Sequence, residues 1–156
     1  MIALRQAVLD DIGLLWELRT RAVAHSCAGH YAPQVLAAWL ASSAPPALER
    51  HISHGGGLVA VEDDAILGYA VLDRLTGEVE AAFVDPRQQG RGIGRVLLDA
   101  LEANARAEGV ERLFLSASLN AVPFYERAGF VALREELYPH RSGHGIPSVF
   151  MEKILR

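Results

Sequence analysis

The sequence predicts an α+β fold with a central mixed, mostly antiparallel sheet flanked by helices. Three observations carry that prediction: two tight turns between apolar runs, a glycine-rich junction into a long amphipathic helix, and two closing strands around a polar loop. Asp63-Asp64 and Thr76-Gly77 separate the apolar runs 58–61, 66–72 and 78–84, which make an antiparallel meander.

Taken in order, residues 2–8 form a short strand, and Asp10 or Asp11 caps a helix that buries Leu14, Leu15, Leu18 and Ala22. Pro33 opens a second helix to about residue 41, and a short third helix ends near residue 51. The meander follows a run of glycines after His54, and Pro86 ends its last strand. A helix over 92–108 turns Ile93, Val96, Leu97, Ala100 and Leu101 inward and Arg95, Asp99, Glu102 and Arg106 outward, with Gly109 past its end. A strand at 112–116, a short helix at 120–128 closed by Gly129, and strands at 130–138 and 147–154 complete one domain over 1–156. The long helix between two strands implies one parallel crossover near the middle.

Composition narrows the function classes. Of 156 residues, 51% are hydrophobic and 22% charged, a globular balance, and 15 basic against 19 acidic side chains leave a net charge of −4. Nucleic acid is not expected as a partner, because phosphate backbones need a basic excess. No apolar run is long enough to span a bilayer, so no membrane partner is expected either. The single cysteine, Cys27, forms no intrachain disulfide, and the N-terminus lacks the apolar core of a signal peptide. A soluble, cytoplasmic protein is the expectation.

The sharpest local signal is Gln89-Gly90-Arg91-Gly92-Ile93-Gly94-Arg95, between a strand end and a helix start. Glycines let backbone amides approach a ligand closely, and the first helical amides lack internal partners, so the segment suits a pyrophosphate. Arg91, Arg95 and Arg87 add positive charge. A Walker loop requires a Gly-Lys-Ser/Thr ending, which is missing. The dinucleotide pattern G-x-G-x-x-G fails in both frames, with Arg95 or Leu97 in its last slot.

The run from Val84 to Leu98 resembles motif A of the GCN5-related N-acetyltransferases, whose Q/R-x-x-G-x-G/A core is met by Gln89, Gly92 and Gly94. A second family element is matched by Asn120, Phe124, Tyr125, Gly129 and Phe130, and residues 148–153 resemble the family's closing strand. The resemblance covers most of the chain and is weakest over 1–56, where these enzymes build the acceptor pocket. It implies acetyl-coenzyme A as co-substrate, with no metal. The strand around Phe83 and Val84 would hold the acyl and pantetheine part. Gln89, Gly90, Arg91, Gly92, Ile93, Gly94 and Arg95 would hold the pyrophosphate, with Asn120 also at the cofactor.

Acetyl transfer to an amine needs a neutral amine, a stabilised oxyanion and a protonated leaving thiolate. By the family pattern Tyr125 is the candidate acid, since a phenol keeps its proton at neutral pH; the other reading is a core aromatic beside Phe124. Glu78 and Glu80 alternate on one strand face and are the candidate bases, with a solvated face or a water chain as the other readings. The oxyanion donor is expected to be a backbone N–H near Phe83 or Val84. Tyr31, His140 and His144, with Trp39, are weak candidates for the acceptor pocket. His51/His54 and His140/His144 lack the partners of a metal motif. No thiol lies near either motif in sequence, so direct transfer in a ternary complex is expected. The acceptor would be an amine of a small molecule or peptide, and a homodimer is possible. The alternative is a non-catalytic module that binds acetyl-coenzyme A as a sensor or partner domain.

Overall fold

The computed structural model describes residues 1–155. Strand β1 (Ala3–Gln6) leads through a 3-10 turn into α1 (Ile12–Ser26), followed by α2 (Pro33–Leu40) and α3 (Pro46–Ser53). Both short helices begin with proline, whose fixed φ suits a first turn where its missing N–H costs nothing. Strands β2 (Gly57–Glu62), β3 (Ala65–Leu72) and β4 (Val79–Val84) form the meander, all antiparallel, with β1 on the outer edge of β2. Asp63 and Asp64 both take positive φ in the β2–β3 turn, which short polar side chains tolerate.

The long helix α4 (Ile93–Ala107) is followed by β5 (Arg112–Ser118), α5 (Val122–Arg127), β6 (Val131–Pro139) and β7 (Gly145–Ile154). The sheet is divided, a feature the element order does not reveal. The strands β1-β2-β3-β4 form one unit and β5-β7-β6 another. A single parallel bridge, Glu78 to Phe114, joins them. Beyond that bridge β4 and β5 pair no further, so the two sheets part towards the C-terminal ends of both strands.

Two apolar cores lie on opposite faces of the four-stranded sheet. Leu97, Leu101 and Ala105 of α4 pack with Leu72, Val79, Leu113 and Met151 on one face; Leu15 and Leu18 of α1 pack with Leu48, Ile52, Val59 and Tyr69 on the other. Leu97 is fully enclosed, and truncating such a leucine to alanine costs about 2–5 kcal/mol. Two expected inward residues are exposed, Leu14 and Val96. Each lies just outside the stripe that meets the sheet; Leu98 takes the inward place on α4. Asp11 does not cap α1; it accepts the Val8 amide (2.8 Å) and two bonds from Arg5, fixing the turn before the helix. No helix among the described residues is long and apolar enough to cross a membrane.

Candidate active site

A cleft of about 710 Å³ occupies the space where β4 and β5 part, bounded by α1, the β4–α4 loop, α4 and α5. The loop is built to present backbone. Gly90 and Gly92 have φ of +82° and +76°, and a Cβ on either would point into open space. Those are left-handed conformations that side chains disfavour. Gly94 differs: a Cβ there would press on the Phe124 ring at 3.3 Å, so its role is close packing of α4 on α5. No side chain caps α4, and its first backbone bond is Val96 N–H to the Gly92 carbonyl (3.1 Å). The amides of Ile93, Gly94 and Arg95 are thereby left for a ligand, with the positive end of the helix dipole behind them.

The loop is held from below by a buried carboxylate. Asp85 accepts from the Arg87 backbone (3.0 Å), from the Arg87 guanidinium (2.7 Å and 3.1 Å) and from Arg21 of α1 (3.0 Å). Those partners, Arg87 first, hold its carboxyl far below the ordinary range. Arg87 is therefore a strut of the loop. Arg91 also points away from the cleft, making a bidentate pair with Glu62 (2.9 Å and 3.0 Å). Arg95 does line the cleft, pairing with Asp99 at 2.9 Å. Gln89 lines it as well, donating to Ser26 at 3.3 Å.

Strand β4 supplies the opposite wall through Ala82, Phe83 and Val84. Asp85 donates its amide to Leu67 of β3 at 2.8 Å, and alternation along an antiparallel pair then sends the Phe83 amide to β3 as well. The amides of Val84 and Ala82 face the cleft edge, so of the two expected oxyanion donors the geometry favours Val84.

Tyr125 and Asn120 meet at the far wall. Tyr125 packs edge-on against Phe124 and Phe130, and burial pushes its phenol up to about 12. Its hydroxyl bonds to no described residue, although no buried side-chain oxygen among them lacks a partner, so it looks onto the cleft. Cys27, remote in sequence, approaches in space: it lines the cleft and donates to Asn120 Oδ1 at 3.3 Å. Burial raises its thiol to about 11, so it stays protonated at neutral pH. Ser26, Cys27 and Arg21 of the α1 end were not legible as site residues, because nothing in an amphipathic helix marks which turn faces a cleft formed by later strands.

Glu78 and Glu80 do not line the cleft. They stand at the other end of β4, where the β3–β4 register shifts at Glu80. The shift interrupts the simple alternation expected of them. His51 Nε2 lies 3.4 Å from Glu80, whose side chain is 27% exposed. Burial, then the neighbouring Glu80, raises Glu78 to about 7. Burial and Asp73 also raise Glu80, while a hydrogen bond from Glu78 opposes that shift. Among the described residues, His51, Asp73 and Glu80 are a grouping able to hold a metal, with ligand atoms within 4.8 Å of one another. The His51/His54 spacing did not foretell it, because Asp73 and Glu80 come from the strands.

Of the three weak acceptor-pocket candidates, Tyr31 lies on the α1–α2 loop, and His140 and His144 lie on the β6–β7 hairpin. The Tyr31 hydroxyl is fully used, donating to the Pro147 carbonyl (2.8 Å) and accepting the Leu119 amide (3.0 Å). It ties the α1–α2 loop to β7, with Trp39 packed edge-on at 5.4 Å. His140 and His144 share the Ser142 hydroxyl at 2.9 Å and 3.3 Å on the β6–β7 hairpin, His144 exposed and His140 partly covered.

Residues 27–155 match the family model described as an acetyltransferase (GNAT) domain. The chain belongs to the GNAT acetyltransferases. This GNAT protein is 27% identical over 135 residues to the uncharacterized N-acetyltransferase YafP of Escherichia coli K12, covering 86% of this chain and 85% of that protein. Among solved structures it is similar to a GCN5-related N-acetyltransferase from Rhodopseudomonas palustris, with a TM-score of 0.88, 27% identity, and 98% and 95% of the two chains covered. It is also similar to YncA of Salmonella typhimurium, a putative acetyltransferase solved with acetyl-CoA, with a TM-score of 0.69, 25% identity, and 100% and 95% covered. Family and relatives together indicate an acetyltransferase enzyme, not a binding module alone.

Proposed function

We propose that this GNAT enzyme binds acetyl-coenzyme A in the cleft between β4 and α5 and transfers the acetyl group directly to an amine of a small molecule or peptide. The observation that carries this reading is the loop with two left-handed glycines, empty Cβ directions and uncapped helix amides, opening on a 710 Å³ cleft. Those amides suit the pyrophosphate of the coenzyme. The bare edge of β4 suits its amide-bearing arm, which extended backbone hydrogen-bonds as it would another strand. Bound there, the coenzyme supplies an activated thioester. The Val84 amide donates to the carbonyl oxygen as charge develops on it. Tyr125 gives its proton to the departing sulfur. Glu78, with a pKa of about 7, is the better matched of the two carboxylates to take the amine proton near neutrality, from an acceptor that enters past the N-terminal end of β4 rather than through the coenzyme cleft.

Cys27 is at the cleft, but a thiol raised to about 11 is a poor nucleophile at neutral pH, so no acyl-cysteine step is invoked. A homodimer is supported by edge strand β6, which exposes Val131, Leu133 and Leu137. The functional test is calorimetric titration with acetyl-coenzyme A, followed by thiol detection over a panel of amines, amino acids and peptides. Saturable binding and acceptor-dependent thiol release are expected; no binding at millimolar ligand would overturn the reading.

A further inference from the structure

Arg19 is a charge with no counter-ion. It lies in the middle of α1 at 3% exposure, its guanidinium stacked over Trp16 at 4.1 Å. Nη2 donates to the Trp39 carbonyl (2.7 Å) and Ser42 Oγ (2.9 Å), and Nη1 to Thr20 Oγ1 (3.3 Å). All three acceptors are neutral, and Arg19 forms no ion pair among the described residues. Nε donates to none of them either, yet no buried side-chain nitrogen there lacks a partner, so that N–H looks onto accessible space. A charge removed from water without a partner is costly, and proteins retain one where a ligand completes it.

Its charged surroundings are of the same sign. Arg141 reaches from the β6–β7 hairpin to donate to the Ser43 carbonyl, one residue from the Arg19 contact. His140 beside it is depressed by burial, then by Arg19, Arg141 and His144. Burial likewise lowers Arg19, with Arg141 adding to the effect and Tyr69 and Cys27 opposing it. A chain with 19 acidic side chains pairs none of them with this cluster. Ala22 and Val23, one turn along α1 on the same face, line the coenzyme cleft, so Arg19 stands one helical turn from that wall, its guanidinium held against the end of α2. On the hairpin itself, Tyr138 is raised by burial and then by Glu80 and Glu78, while His140, just past the end of β6, is lowered by burial and then by the positive cluster.

Building on the acetyl-transfer reading, we infer that the acceptor is an amine that also carries an anionic group, a carboxylate or a phosphate. The anion docks on Arg19, Arg141 and His140, and the amine faces Glu78 and Glu80. One molecule thereby gives a counter-ion to a guanidinium that the fold buries without one and sets its amine beside the carboxylate pair at the start of β4.

Matched pairs that differ only in that charge test the inference. Amino acids against their carboxamides, and phosphoethanolamine against ethanolamine, are titrated into the protein with coenzyme A present. A charged member is expected to bind at least about tenfold tighter than its neutral partner, the scale of one charge-assisted hydrogen bond, and the pair that responds separates carboxylate from phosphate. Arg141→Gln, at an exposed position, and Arg19→Lys, which keeps charge but loses the planar fork, should each erase most of that preference. Affinity for the neutral members and for coenzyme A should stay unchanged, which a merely structural role for Arg19 would not predict. Equal affinities within every pair, or a preference that survives both substitutions, would overturn the inference. Thiol release on the same pairs separates it from the transfer reading. Equal release from charged and neutral amines overturns the anion site and leaves transfer standing. A charge preference in binding without release from any amine supports the anion site and overturns transfer.

Discussion

The two ends of β4 are built by different means. At its C-terminal end the site is mainly backbone: two left-handed glycines, three uncapped amides of α4, and a strand edge with no partner. At its N-terminal end the recess is side chains: Glu78 and Glu80 from the strand, His51 from α3, Asp73 from the turn after β3, and Tyr138 from β6. A backbone site has few ways to vary, because any residue offers an amide but only glycine accepts those angles without strain. A side-chain site varies with every substitution. On the proposed reading, one fold can therefore keep a fixed donor site beside a changeable acceptor site.

The sharpest way to break this contrast is Gly92→Val paired with Arg91→Gln. Valine at φ +76° is strained, and its side chain fills the open space before the helix amides. Coenzyme binding should be abolished, so the stabilisation of about 2.7 kcal/mol expected at a hundred times the dissociation constant should vanish from a thermal-shift titration. Arg91→Gln removes a charge held by Glu62 outside the cleft and should leave affinity nearly unchanged. If the two variants behave the other way round, the site is built on side chains.

That contrast also decides what was legible in the sequence. Gly90, Gly92, Ile93 and Gly94 are neighbours in the chain, so their spacing encodes the site directly, and the meander followed from turn residues just as local. The division of the sheet did not, because it depends on where β4 and β5 stop pairing, a relation between strands separated by α4. Cys27 and Asn120 meet at 3.3 Å across 93 residues of sequence, and no periodicity announces such a contact. Nothing in the sequence singles out Arg19; only packing against α2 makes it a buried charge without a counter-ion. Arg91 read as a phosphate ligand on proximity alone, and the structure gives it to Glu62.

Tyr125→Phe tests the one side chain given a chemical role at the backbone-built end. Ring packing against Phe124 and Phe130 is kept, so stability should change little. Turnover should fall by about 10²–10⁴, the usual contribution of a positioned acid, with coenzyme affinity unchanged because the proton is needed only as the sulfur departs. The loss should shrink as pH rises and the thiolate leaves unaided. Wild-type turnover in the variant, with chemistry rate-limiting, would leave Tyr125 a core aromatic.

Glu78→Gln gives the smallest expected effect and the most specific one, because it is read in pH. Burial and Glu80 raise the folded pKa of Glu78 to about 7 from an ordinary value of 4.5. The folded state therefore holds a proton that the unfolded chain has released between those values. The contribution of protonated Glu78 to stability is fully present below 4.5, is lost as pH rises, and is gone above about 7. Glutamine keeps the neutral shape at every pH, so the variant should match wild type near pH 4.5 and be the more stable protein above 7. The slope of stability with pH should flatten between the two, measured by denaturant unfolding at fixed ionic strength. Activity should move oppositely: if Glu78 accepts the amine proton, wild-type kcat/KM rises through pH 7 as the carboxylate forms, and the variant loses that limb. A stability gain at high pH with an unaltered rate profile would make Glu78 a destabilised bystander. The base would then be Glu80, whose carboxylate accepts the Glu78 proton in the resting recess and has His51 at 3.4 Å.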